Sequence, residues 1–70
     1  MDFWQQITKN LKDLISASPK SKMQISNEIG VTPSSISNFI SGLSYPSLET
    51  LKKLCIALDC NYEDILGRLE

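Results

Sequence analysis

Apolar residues recur at three- and four-residue intervals along nearly the whole chain, with no sustained alternation of apolar and polar positions and no Asn-Gly hairpin signal. The pattern predicts an all-helical domain of five helices. A first helix starts at Asp2, whose side chain can cap it while Gln5 reaches back; Ile7, Leu11, Leu14 and Ile15 form its apolar stripe, and "SASPKS" ends it with Pro19 as the stop. A short second helix follows a capping box from Ser21 to Gln24, turns Ile25 and Ile29 inward and stops at Gly30. Thr32 caps a third, Pro33 to Ser41, in which Pro33 takes the first position, where a missing N–H costs nothing, and Ile36, Phe39 and Ile40 face inward before Gly42. Ser47 caps a fourth, with Leu48, Leu51, Leu54, Cys55 and Leu58 inward, an exposed Glu49 and Lys53 pair, and Asp59 at its C-terminal turn. Asn61 and Asp64 bracket a last short helix, Tyr62 to Leu66, with Ile65 and Leu66 inward and Gly67 closing it.

One face of this pattern is out of character. Ser34, Ser37, Asn38 and Ser41 fall at i, i+3, i+4 and i+7 of the third helix, so its whole outer face is short, polar and uncharged. Ser and Asn are mediocre helix formers, and together they cost that helix roughly 1–2 kcal/mol in propensity. The face is either plain solvated surface or a surface made for contact.

Length and composition narrow the choice. Seventy residues, 41% hydrophobic and 21% charged, describe a single small domain over residues 1–70, near the lower end of what folds without staples. No apolar run approaches the roughly 18 to 20 residues of a membrane span, and "MDFWQQITKN" is not a secretory signal, so a cytoplasmic protein without a membrane partner is expected. Two cysteines and no histidine give neither a disulfide framework, a zinc set nor a Ser-His or Cys-His pair; no enzyme activity, metal, cofactor or small-molecule ligand is expected, and Cys55 and Cys60 read as reduced core thiols. Phe3 and Trp4 fit either a core or an interface. The net charge of −1 counts against a nucleic-acid partner, although a local basic stripe matters more than the total.

Two short helices joined by about three residues containing a glycine describe a helix-turn-helix. Ile25, the small Ser26, Gly30-Val31-Thr32, Ile36-Ser37, Phe39 and Gly42, followed by "PSLETLKKLCIALDCNYEDIL", resemble the Cro and lambda-repressor type (XRE-like) helix-turn-helix family over roughly Ile7 to Gly67. The resemblance implies a compact five-helix, lambda-repressor-like DNA-binding domain whose third helix, Pro33 to Ser41, enters the major groove. Its readers of base edges would be Pro33, Ser34, Ser37 and Asn38, with Asn38 able to pair bidentately with adenine and the serines discriminating less sharply. Phosphates would meet the start of the second helix at Lys20, Ser21 and Lys22, and Ser41, Ser44 and Tyr45 at and after the end of the third.

The family often buries an Arg on helix one against a Glu near the end of the recognition helix; the corresponding positions here are Ile15 and Ile40, a swap of a buried ion pair for packed hydrophobes that is commonly neutral or stabilising. The resemblance implies a transcriptional regulator, a repressor acting as a homodimer on a palindromic double-stranded operator, with Tyr62 to Leu69 as its dimer segment. The competing reading is a protein-interaction module on the same scaffold, antitoxin-like or a phage regulatory partner, with little DNA binding.

Overall fold

The computed structural model describes residues 2–67. Five helices appear in order: α1 (Phe3–Ala17), α2 (Lys22–Ile29), α3 (Pro33–Ser41), α4 (Leu48–Leu58) and α5 (Tyr62–Leu66). Most of their boundaries are set by local side-chain chemistry. The Asp2 carboxylate accepts the Gln5 N–H at 2.8 Å while the Gln5 side chain accepts the Asp2 N–H at 3.4 Å, closing a reciprocal cap. At the other end of α1, Ser18 precedes Pro19 and is driven to an extended conformation, ψ 141°, because the proline ring crowds a helical predecessor. Thr32 accepts the Ser35 N–H at 3.2 Å and Ser47 the Thr50 N–H at 3.2 Å. Ser21 accepts the Gln24 N–H at 3.1 Å, but no return bond from Gln24 forms among the described residues, so only half of the expected capping box is present.

The stripes converge on one core: Ile7, Leu11 and Ile15 from α1, Ile25 and Ile29 from α2, Ile36 and Phe39 from α3, Leu51, Leu54, Cys55 and Ala57 from α4, and Ile65 from α5. Helix α1 packs against α3 and α5, and α2 against α3 and α4, so the helix-turn-helix is braced from behind by two helices. Burying this much Ile and Leu, at roughly 1.5–3 kcal/mol per fully buried side chain, is what holds a chain of this size together. Ile15 is buried and Ile40 packs against the same cluster, so the two positions are filled as apolar neighbours of one core. Ser26 is fully buried, its hydroxyl donating to the Met23 carbonyl at 2.8 Å, which satisfies the one polar group α2 sends inward.

Two expected core positions lie outside. Leu48, the first residue of α4, is 83% exposed. Leu66, the last residue of α5, is 37% exposed and lines the same apolar surface as Leu48. Phe3 and Trp4 are also half exposed, their rings meeting edge-on at 5.1 Å. No helix among the described residues is long and apolar enough to cross a membrane.

Candidate nucleic-acid interface

The turn between α2 and α3 comes first, because it sets how α3 is presented. Gly30 takes a left-handed conformation, φ 75° and ψ 31°, and both its N–H and that of Val31 donate to the Ser26 carbonyl, the latter at 3.0 Å. A residue with a Cβ resists that conformation, which is why glycine stands there. Two residues later Thr32 caps α3, and Pro33 opens it.

Ile36 and Phe39 then anchor α3 from inside, leaving Pro33, Ser34 and Ser37 exposed and Asn38 half-buried along its outer side. The Asn38 side-chain amide and the hydroxyls of Ser34 and Ser37 form no hydrogen bond with any described residue. Their donors and acceptors are therefore available to a partner. The Asn38 main chain does the opposite work: its carbonyl accepts from Gly42 N–H, from Leu43 N–H at 3.0 Å, from Ser44 N–H at 3.4 Å and from the Ser41 hydroxyl at 3.2 Å. That cluster fixes the end of α3 while the amide projects freely. Gly42 is left-handed at φ 81°, as such a terminus demands.

The flanking residues divide in three ways. Ser21 uses an acceptor lone pair for the cap and keeps its O–H proton, beside the N–H groups of Lys22 and Met23 that open α2; Lys22 is exposed and forms no ion pair with a described residue. Those groups together make a positive, donor-rich end. Ser44 is half-buried with an unbonded hydroxyl, and Tyr45 lies with its ring against Trp4 at 4.6 Å, whereas Ser41 spends its only proton on the Asn38 carbonyl and offers lone pairs alone. Lys20 stands apart from its expected companions: its Nζ donates to the Ala57 carbonyl at 2.7 Å and pairs with Glu28 at 2.9 Å, so it ties the α1–α2 loop to α2 and α4.

Sequence reasoning placed no residue of α1 here, yet Gln5, Thr8, Lys9 and Lys12 line a groove beside Ser41 and Tyr45. No local motif signals this, since it arises only when α1 packs across α3. The acidic residues Asp59, Glu63 and Asp64 fall at the end of α4 and on α5, and α3 bears no charge at all. The cysteines lie near Asp64, Cys55 in the core on α4 and Cys60 just after it: burial pushes both thiols above their ordinary value of 9.0, Cys60 to about 11 with Cys55 beside it adding to the rise.

A helix-turn-helix family profile matches residues 20–65 of this chain. A solution structure of the SOS-response transcriptional repressor LexA from Eubacterium rectale superposes with a TM-score of 0.83 at 23% identity, covering 97% of this chain and 74% of that one. None of the curated proteins matches.

Proposed function

Because the chain belongs to the helix-turn-helix family of DNA-binding regulators, of the Cro and lambda-repressor type, we propose that it binds double-stranded DNA sequence-specifically as a transcriptional repressor, with α3 in the major groove. The observation that carries this reading is the outer face of α3: uncharged, with Ser34 and Ser37 exposed and Asn38 half-buried, and holding an amide and two hydroxyls with no partner among the described residues. Short polar side chains are what a helix pressed against base edges needs, whereas long cations would be drawn off to phosphates. Asn38 pairs with adenine, Ser34 and Ser37 make permissive contacts, and Pro33 offers apolar contact alone. Ser21, Lys22 and the opening N–H groups of α2 take one phosphate, and Ser44 and Tyr45 reach the backbone beyond α3. Lys20, committed to Glu28 and Ala57, drops out of this set. Such a protein works where the DNA is, in the cytoplasm of a bacterium or on behalf of a phage.

Nine residues of α3 span roughly 13 Å, enough for a handful of base pairs, so a palindromic operator read by a homodimer follows. Tyr62 and Leu66 of the expected dimer segment are exposed, and Leu66 borders an apolar surface with Phe3, Trp4 and Leu48 that is suited to a second copy; Arg68 and Leu69 lie outside the described residues. Selection from a pool of random duplexes at low salt tests the reading. Enrichment of a two-fold symmetric site is expected, and no enrichment of any sequence refutes it, leaving the protein-interaction alternative favoured by the overall charge of −1.

A further inference from the structure

We propose that the groove between α1 and the C-terminal end of α3 is a further seat for a DNA backbone phosphate, gripped by Lys12 and Lys9 of α1; the inference rests on the reading that α3 enters the major groove. Gln5, Thr8, Lys9 and Lys12 form one wall and Ser41 and Tyr45 border the other, and no acidic side chain lines it. Lys12 is exposed and forms no ion pair with a described residue, while Lys9 holds only Asp13, at 3.2 Å, with both side chains more than half exposed. Such a pair is screened and readily exchanged for a phosphate oxygen. The groove is thus a local positive feature in a chain of net charge −1.

Its floor is polar as well. The Thr8 hydroxyl oxygen is buried with no hydrogen-bond partner, and unpaired buried hydroxyls are rare enough to ask for an explanation. It sits under Gly42, where a Cβ would stand 3.4 Å from it and 3.9 Å from the Tyr45 hydroxyl, so two hydroxyls border the residue that ends α3. Ser41 decides which anion is meant. It belongs both to this groove and to the outer stripe, one turn beyond Asn38, so a strand whose bases lie along Ser34 to Asn38 carries its backbone past the lysines. A rival role exists for the lysines, as cations facing the negative end of the α3 dipole.

The test measures binding of the full chain to a mixed-sequence 20-base-pair duplex between 50 and 200 mM salt. Lys12→Gln should reduce the slope of log K against log salt by about 0.9, and Lys9→Gln with Lys12→Gln by about twice that, while Lys12→Arg retains it and Lys52→Gln on α4 leaves it unchanged. An unchanged slope in the double variant, with wild-type binding still salt-dependent, overturns the proposal; a lowered melting temperature alongside it assigns the lysines to the dipole instead. Wild-type protein that binds no duplex overturns the reading of α3 itself, and with it this one. Should the double variant not fold, duplex-induced amide shifts of Thr8, Lys12 and Ser41 in the wild-type protein support the site, and shifts confined to α2 and α3 exclude it.

Discussion

Lys20 and Glu28 meet at 2.9 Å while the same ammonium group donates to the Ala57 carbonyl at 2.7 Å, so one lysine spans a loop and two helices. A cation on the last turn of α4 complements its dipole, and the ion pair adds a screened contribution. Lys20→Met should therefore lower unfolding free energy by about 1–2 kcal/mol in urea titrations, yet leave the salt dependence of DNA binding as it was. Lys22→Ala should do the reverse, weakening all duplexes alike and flattening the salt slope by about one charge.

Asn38 separates reading from folding within a single residue. Its carbonyl gathers the end of α3 and its amide is unbonded among the described residues, so Asn38→Ala keeps the first and deletes the second. Competition between duplexes differing at one base pair should show discrimination at that position reduced by about 1–3 kcal/mol. The thermal transition should move little, because the substitution removes no interaction of the folded chain and Ala is the better helix former. Ser34→Ala should relax selectivity less, since a hydroxyl that both donates and accepts tolerates several bases.

The two glycines that frame α3 are not equivalent. Both are left-handed, but a Cβ at Gly30 meets nothing within 4 Å, whereas one at Gly42 meets the Thr8 side chain at 3.4 Å. Gly30→Ala should cost about 1–2 kcal/mol, the left-handed penalty alone. Gly42→Ala should cost a similar amount, because the Thr8 side chain at 3.4 Å meets an added Cβ in ordinary van der Waals contact, and α1 should keep its place while the amide signals of Thr8 and its neighbours register the new methyl group.

Thiol chemistry should respond to pH in a defined direction. Burial raises Cys60 to about 11 and Cys55 above 9.0, so folded protein at pH 8 holds very little thiolate. Alkylation by iodoacetamide should be slow in the native state and fast in denaturant. The folded state holds these protons more tightly than the unfolded state, so stability should be level below about pH 9 and fall as pH rises from there toward 11. A fall toward acid pH traced to these groups would contradict the sign.

The apolar end of the molecule carries the homodimer proposal. Leu48→Ser and Leu66→Ser together should weaken self-association by at least about tenfold in sedimentation equilibrium, roughly 1.4 kcal/mol. Because Leu48 is almost wholly exposed, its replacement should hardly alter monomer stability.

Most of the architecture is legible in the sequence because it is locally encoded. Asp2, Thr32 and Ser47 cap the helices expected of them, Pro19 and Gly30 stop theirs, and the stripes of α2 and α3 are buried as their period requires. Periodicity gives the face of a helix but not the extent of the surface it faces, so Leu48 and Leu66 fit the inward stripe and still lie outside. The surroundings of Lys20 are hidden for a different reason: its partners are 8 and 37 residues away, and nothing near Pro19 foretells them. The outer face of α3 stands out through its composition, while the lysines beside it depend on how α1 crosses α3.

Trp4 is the one tryptophan of the chain, and it rests on Tyr45 at 4.6 Å, between the loop that leaves α3 and the apolar end of the molecule. The protein therefore contains its own optical reporter. Covering that end with a second copy excludes water from the indole and shifts its emission to shorter wavelength, while a duplex engaging Tyr45 alters the ring beside it without drying it. Assembly and DNA binding can thus be followed separately in unlabelled protein.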